Sequence, residues 1–150
     1  MSINNFYDLD TWKKARKLTL HIYIITKDFP TDEKYGLISQ MRRASSSIGA
    51  NIAEGFERYH FKDKIRFYYQ ARRSIAEIQN FLLLAKDLKF TEQTDFIKLG
   101  LITKDSFRLL NGLIRSTEKI NKKLVTSYSL LVIIFMHPQI DSNKRKIIWK

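Results

Sequence analysis

Along nearly the whole chain, apolar residues return at spacings of three and four with polar residues between them. That is the period of an amphipathic helix, not the alternation of a half-buried strand. The first predicted helix runs from about Asp10 to Phe29, with Trp12, Ala15, Leu18, Ile22, Ile25 and Phe29 on one stripe. Pro30 cannot continue it, and Thr31 or Asp32 can cap the next helix. The second spans about Asp32 to His60 and carries Leu37, Met41, Ala44, Ile48, Ile52 and Gly55. The third runs from Phe61 or Lys62 to Lys89, with Ile65, Tyr68, Ala71, Ile75, Ile78, Leu82, Ala85 and Leu88. The fourth opens near Thr91 and shows heptad spacing at Leu99, Ile102, Ser106, Leu109, Leu113, Ser116 and Ile120. Helices of this length with short connections pack most simply as antiparallel neighbours. The expected fold is therefore all-α, an antiparallel up-down four-helix bundle over residues 1–120, followed by residues 121–150 as a helix extension or a basic, poorly ordered tail.

One stretch resists its own prediction. RRASSSIGANIAEG, residues 42–55, lies inside the second helix yet holds three serines, two glycines and an asparagine. Each Ser costs roughly 0.5 kcal/mol and each Gly about 1 kcal/mol relative to Ala. Ser45, Gly49 and Ala53 lie four apart, as do Ser47, Asn51 and Gly55, so two faces carry small residues that admit a neighbouring backbone. Asn51 and Glu54 are then placed near the interior. A structural polar network of Ser47, Asn51, Glu54, Ser74 and Glu77, with Arg43 beside it, is expected to satisfy them. The first helix is apolar around much of its circumference, since only Thr19 and His21 are polar between Leu18 and Ile25, and the third has a second stripe of Phe67, Phe81 and Leu88. Either the core contact is wide or these faces meet another subunit, and a homo-oligomer is expected.

At 150 residues and 44% hydrophobic content the chain suits one domain. The absence of Cys excludes disulfides, thiolate metal sites and cysteine nucleophiles, and with no apolar signal segment in MSINNFYDLDTWKKARK a cytoplasmic location is expected. The longest apolar run, LLVIIFM at 130–136, falls far short of the roughly 20 residues that cross a bilayer, so neither a span nor a membrane partner is expected.

Charge changes the picture more. The net charge is +12: residues 1–120 hold 21 basic and 14 acidic residues, and the final thirty hold 6 and 1. Such basicity suits solubility, but it also suits nucleic acid or another anionic surface. From Phe56 to Arg73 the chain carries Arg58, Lys62, Lys64, Arg66, Arg72 and Arg73 against only Glu57 and Asp63. Phe56, Tyr59, Phe61, Phe67, Tyr68 and Tyr69 are interleaved with them. Arginine binds phosphate bidentately and exposed aromatics stack on unpaired bases. These six cations, with Arg42 and Arg43, are the candidate nucleic-acid-binding residues. A charge run on a helix reads equally as a solvated face, and several of these aromatics must be core. Lys13, Lys14, Arg16 and Lys17 form a second cluster.

Catalytic constellations are sparse. Glu57-Arg58-Tyr59-His60 matches one Glu-x-x-His, whereas di-iron bundles need two such motifs and two further glutamates. His21, His60 and His137 are far apart, and no phosphate-binding glycine loop occurs. No enzymatic activity, metal or cofactor is expected.

The residues also carry a resemblance. Gln40-Met41-Arg42-Arg43-Ala44, Ser47-Ile48, Asn51-Ile52-Ala53-Glu54-Gly55 and Arg58 resemble the signature of the four-helix bundle proteins encoded in intervening sequences of 23S ribosomal RNA genes. Trp12-Lys13-Lys14-Ala15, Ile22-Tyr23, Phe29-Pro30, Glu33-Lys34-Tyr35-Gly36-Leu37 and Ala71-Arg72-Arg73-Ser74 with Glu77 extend the match over about residues 6–120. Arg73 departs from it, because the family pattern usually has glycine there, and the tail beyond residue 121 is not part of it. The resemblance implies a cytoplasmic bundle, often a ring-shaped homopentamer, of largely unassigned role. The chain is also similar to the accessory variability determinant proteins of diversity-generating retroelements, which implies nucleic acid and a reverse transcriptase as partners. The resulting expectation is a non-enzymatic bundle that oligomerises and binds RNA or DNA through phosphates, alone or as accessory to a larger nucleic-acid enzyme; the alternative is a protein-interaction or scaffold module without a nucleic-acid partner.

Overall fold

The computed structural model describes residues 3–136, with side chains through residue 132. Four helices follow one another: α1 (Asp10–Ile25), α2 (Leu37–Glu57), α3 (Phe61–Asp87) and α4 (Gln93–Met136). Short 3-10 turns precede α1 at Phe6–Asp8 and α2 at Thr31–Lys34, and no strand occurs among the described residues. The chain through Glu118 is one compact unit, and the chain from Lys119 is a second. Residue 137 onward, where His137 and the basic tail were expected, lies outside the described residues.

Side-chain pairs fix the order of the helices. Thr19 of α1 donates to the Ser45 carbonyl of α2 at 2.9 Å, and Ser74 of α3 meets Ser47 of α2 at 3.1 Å. Lys14 of α1 reaches Asp105 of α4 at 3.0 Å, and Tyr69 of α3 reaches Glu118 of α4 at 2.9 Å. Thus α2 and α4 each lie between α1 and α3. Positions early in one helix meet positions late in the next, as in Arg43 with Glu77 and Ser47 with Ser74, so neighbours run antiparallel. The core holds Ala15, Leu18 and Ile22, Met41, Ala44, Ile48 and Ile52, Ala71, Ile75 and Ile78, and Leu99 and Leu110, each almost wholly removed from solvent. At about 25 cal/mol per Å² of apolar surface, this burial is the main force closing the bundle.

Three helix ends depart from the expected bounds, each for a local reason. The first helix was expected to reach Phe29, yet α1 stops at Ile25. The Lys27 and Asp28 amides bond the Ile24 and Ile25 carbonyls, a tightened three-residue pattern, while Phe29 still enters the core and packs on Phe90 at 5.6 Å between ring centroids. The second was expected to begin at Asp32 with Thr31 or Asp32 as cap. Neither side chain caps it; Glu33 accepts the Leu37 amide at 2.8 Å, four residues on. A Cβ at Gly36 would collide with that Glu33 carboxylate, so the glycine is what lets it lie over the helix start. At the end of α3, Lys89 takes φ 59°, the left-handed region, and the Phe90 amide bonds the Ala85 carbonyl at 2.9 Å while Lys89 bonds Lys86 at 3.0 Å. This is a Schellman closure in which lysine stands where glycine is usual.

The fourth helix corrects the heptad reading. Leu99, Ile102 and Ser106 are buried as that spacing predicts, but further along the buried positions are Leu110, Ile114 and Thr117. Leu109 and Leu113 are half-buried, Ser116 is exposed, and Ile120 is 47% exposed. A straight α-helix drifts about 20° per heptad from a strict seven-residue repeat, so a stripe that starts in the core leaves it within three heptads.

Candidate functional site

The small residues of α2 settle the question raised by its sequence. The Gly49 position lies 3.6 Å from the Trp12 indole nitrogen, measured from where a Cβ would stand. At Gly55 the same Cβ would stand 2.6 Å from Tyr68 Cε1 and 3.1 Å from Phe67 Cβ, so only glycine admits α3 at this point. The serines satisfy themselves: Ser45 and Ser46 donate back to the Arg42 carbonyl at 3.0 and 2.8 Å. Between α2 and α3, Ser74 donates to Ser47 Oγ, which also accepts Asn51 Nδ2 at 3.0 Å; Asn51 bonds the Ser47 carbonyl as well at 2.8 Å. Arg43 closes the outer edge on Glu77 at 3.5 Å and on Gln40. Glu54 differs from the expectation that placed it inside. It is exposed and lies 3.8 Å from Arg58, one turn along the same helix surface.

The eight candidate cations divide into two sets. Five are engaged within the molecule. Arg42 donates Nε to Thr26 Oγ1 at 2.8 Å and its guanidinium covers Tyr23 at 4.9 Å, which ties α2 to the end of α1. Arg43 is held as described. Arg58 lies over Phe67 at 4.6 Å and Arg72 over Tyr69 at 4.5 Å. Lys64 donates to the Phe56 carbonyl and covers that ring at 5.6 Å. Burial lowers the Lys64 ammonium below the ordinary lysine pKa, opposed by the nearby Glu57 carboxylate.

The other three are Lys62, Arg66 and Arg73. They fall on the face of α3 opposite its buried line of Tyr68, Ala71, Ile75, Ile78 and Leu82, and all three are exposed. Among the described residues no carboxylate lies within 4.0 Å of them. Arg73, where the resemblance led one to look for glycine, points into solvent, so no close helix approach is at stake there. The row runs over eleven residue steps, about 16 Å of helix.

The interleaved aromatics are less available than their spacing suggests. Tyr68 is 2% exposed, and burial pushes its phenol up to about 12. Phe56, Phe67 and Tyr69 are half-buried beneath cations, and the hydrogen bond to Glu118 holds the Tyr69 phenol above its usual range. Tyr59, in the connection between α2 and α3, is 88% exposed and is the one open ring in this stretch. Guanidinium groups that stack on rings are desolvated on one side only and keep their N–H edges for an anion.

The second basic cluster is largely structural. Lys14 pairs with Asp105, which also takes Arg108 at 3.5 Å; Lys13 lies 4.0 Å from Asp10, and Arg16 covers Trp12 at 6.0 Å. The Lys14 hydrogen bond holds the Asp105 carboxyl below its ordinary pKa. Nothing in sequence spacing announces this α1–α4 pairing, because its partners are separated by 91 residues. The Glu57-x-x-His60 motif straddles the end of α2, with both side chains exposed, and no group of three His, Asp or Glu able to hold a metal ion occurs among the described residues.

Comparison with known proteins places this geometry. A search of curated proteins finds no match. A crystal structure of a protein of unknown function from the S23 ribosomal protein family of Bacteroides thetaiotaomicron is similar, with a TM-score of 0.65 at 21% identity. That likeness covers 70% of this chain and 95% of the other, and it concerns the fold alone. The model of the 23S rRNA-intervening sequence protein family matches residues 7–112, from the turn before α1 into α4, and the chain belongs to that family.

Proposed function

We propose that the protein is a non-enzymatic, basic four-helix protein that self-associates and binds RNA or DNA through phosphate contacts, as an accessory to a larger nucleic-acid enzyme. The observation that carries this reading is the row of Lys62, Arg66 and Arg73, exposed and without a carboxylate partner among the described residues, beside Arg58 and Arg72 on their aromatic supports. Phosphate is recognised by charge and N–H donors irrespective of base, so a row of this kind gives affinity with little sequence readout. Tyr59 adds one stacking surface near the start of the row. Self-association is supported by exposed apolar side chains, namely Leu20, Tyr23 and Ile24 on α1 and Ile97 and Leu101 on α4. Five subunits is the number the family resemblance implies. Fluorescence anisotropy of labelled single-stranded and duplex RNA across salt tests the binding: affinity must fall with a log-log slope of about −0.7 to −0.9 per phosphate neutralised, and affinity indifferent to salt removes phosphate contact from the account.

One observation favours a second reading, a scaffold module for an acidic protein partner. Five of the eight candidate cations already have partners within the molecule, which leaves less free charge than the composition suggests. Under that reading RNA is not retained at any salt, and the Lys62, Arg66 and Arg73 variants lose the protein partner instead.

A further inference from the structure

The helix from Lys119 to Met136 lies beyond the residues matched to the family and has its own pattern. At 100° per residue, Ile120, Leu124, Val125, Tyr128, Leu131 and Val132 fall within one arc of about 140°, which Asn121 alone interrupts with a polar side chain. Each of the six is between 42% and 68% exposed. Lys119, Lys122, Lys123, Thr126, Ser127 and Ser129 occupy the opposite side, where Leu130 is the apolar exception among the described side chains. An uncovered apolar arc of this width does not persist in water.

Two features identify what covers it. The polar side is cationic, and the thirty residues from Asn121 hold six basic residues against one acidic, so the complement is an anionic surface. The run LLVIIFM at 130–136 consists solely of apolar residues on a helical backbone. A second copy of the helix covers one arc only and brings its own lysines. The headgroup and acyl boundary of a bilayer meets the cations and surrounds the apolar end together. We propose that residues 119–136 form an in-plane anchor on an anionic lipid bilayer, with the apolar arc in the acyl boundary and the lysines among the headgroups. The sequence expectation of no membrane partner followed from the absence of a span. No helix among the described residues is long and apolar enough to cross a membrane, and lying in the interface requires no crossing.

The test is flotation of the full chain with phosphatidylcholine vesicles, with and without a phosphatidylglycerol fraction, beside the variants Leu124→Ser/Leu131→Ser and Lys122→Glu/Lys123→Glu. All four positions are exposed, so the bundle should fold in every variant. The wild type should float with anionic vesicles and not with neutral ones. The leucine pair should weaken partitioning at least tenfold at every salt concentration, and the lysine pair, at about fivefold for each positive charge lost and more for the negative charges gained, should weaken it at least about 25-fold at low salt. Failure of the wild type to float with anionic vesicles overturns the proposal. So does unchanged flotation of the leucine variant, which would assign binding to the charge of the bundle. A fall in the lipid-free subunit count of the leucine variant, measured by light scattering, would place a second copy on the arc and overturn it as well.

Discussion

Gly55→Ala isolates the close approach of α3 to α2. Alanine in a helix interior is favoured over glycine by about 1 kcal/mol, so propensity alone makes this substitution stabilising. The added methyl stands 2.6 Å from Tyr68 Cε1 and 2.9 Å from Cδ1, with Phe67 Cβ at 3.1 Å, and the Tyr68 ring is buried and closed in by the core. Ordinary carbon contacts begin near about 3.5 Å, so the ring or the helix must give by most of an ångström. Overpacking of this kind costs roughly 1–3 kcal/mol, and the upper end applies where the obstacle is a rigid ring with no free side. The net is about 2 kcal/mol of destabilisation. Gly100→Ala is the control: nothing lies within 4 Å of its Cβ on the exposed side of α4, and it should stabilise by about 1 kcal/mol. For a chain of this size 1 kcal/mol moves Tm by about 4 °C, so thermal melts followed by circular dichroism should separate the two variants by roughly 12 °C, in opposite directions from the wild type. A rise in Tm for both would show that Tyr68 does not press on Gly55. Trimming the ring, as in Gly55→Ala/Tyr68→Leu, should recover part of the loss through their coupling.

Lys89→Gly relieves a left-handed lysine that costs about 1–2 kcal/mol, partly offset by the freer unfolded chain, so urea midpoints should rise by a small amount; a fall would mean that the lysine stem contributes packing that outweighs its backbone cost. Asp105 has its pKa depressed by Lys14, so its contribution to stability is present above the ordinary carboxylate pKa and lost as pH falls through the lower folded value. Asp105→Asn should therefore lie below the wild type in urea at neutral pH and converge with it in strong acid, whereas a constant difference across pH would assign the effect to packing.

The sequence carried the architecture because burial and helical period coincide: Ala15, Leu18 and Ile22, or Ile48 and Ile52, are in the core where the stripe puts them. It failed where a contact outside the stripe decides. The start of α2 depends on a Glu33 carboxylate reaching forward over Gly36, and the end of α3 on a backbone turn at Lys89, neither of which leaves a periodic trace. The heptad in α4 misled because seven residues are not two whole turns of a straight helix. At the candidate site, residue type located the cations but not their partners. Arg42 looked like its neighbour Arg43, yet one is locked on Thr26 and Tyr23 while the other lies at the surface on Glu77. Glu54 looked interior because its small neighbours are, but its own direction is outward.

Comparison of two triple variants tests most directly whether the cations on one face of α3 bind phosphate because of where they stand. Lys62→Ala/Arg66→Ala/Arg73→Ala and Lys27→Ala/Lys98→Ala/Arg115→Ala remove the same charge from exposed positions, the first from the row and the second from elsewhere on the surface. With single-stranded RNA the row variant should flatten the salt slope by about 2, three contacts at roughly 0.7 each, while the second set leaves the slope near that of the wild type. Equal slopes for the two variants would mean that net charge alone attracts the RNA and that the row has no part in holding it.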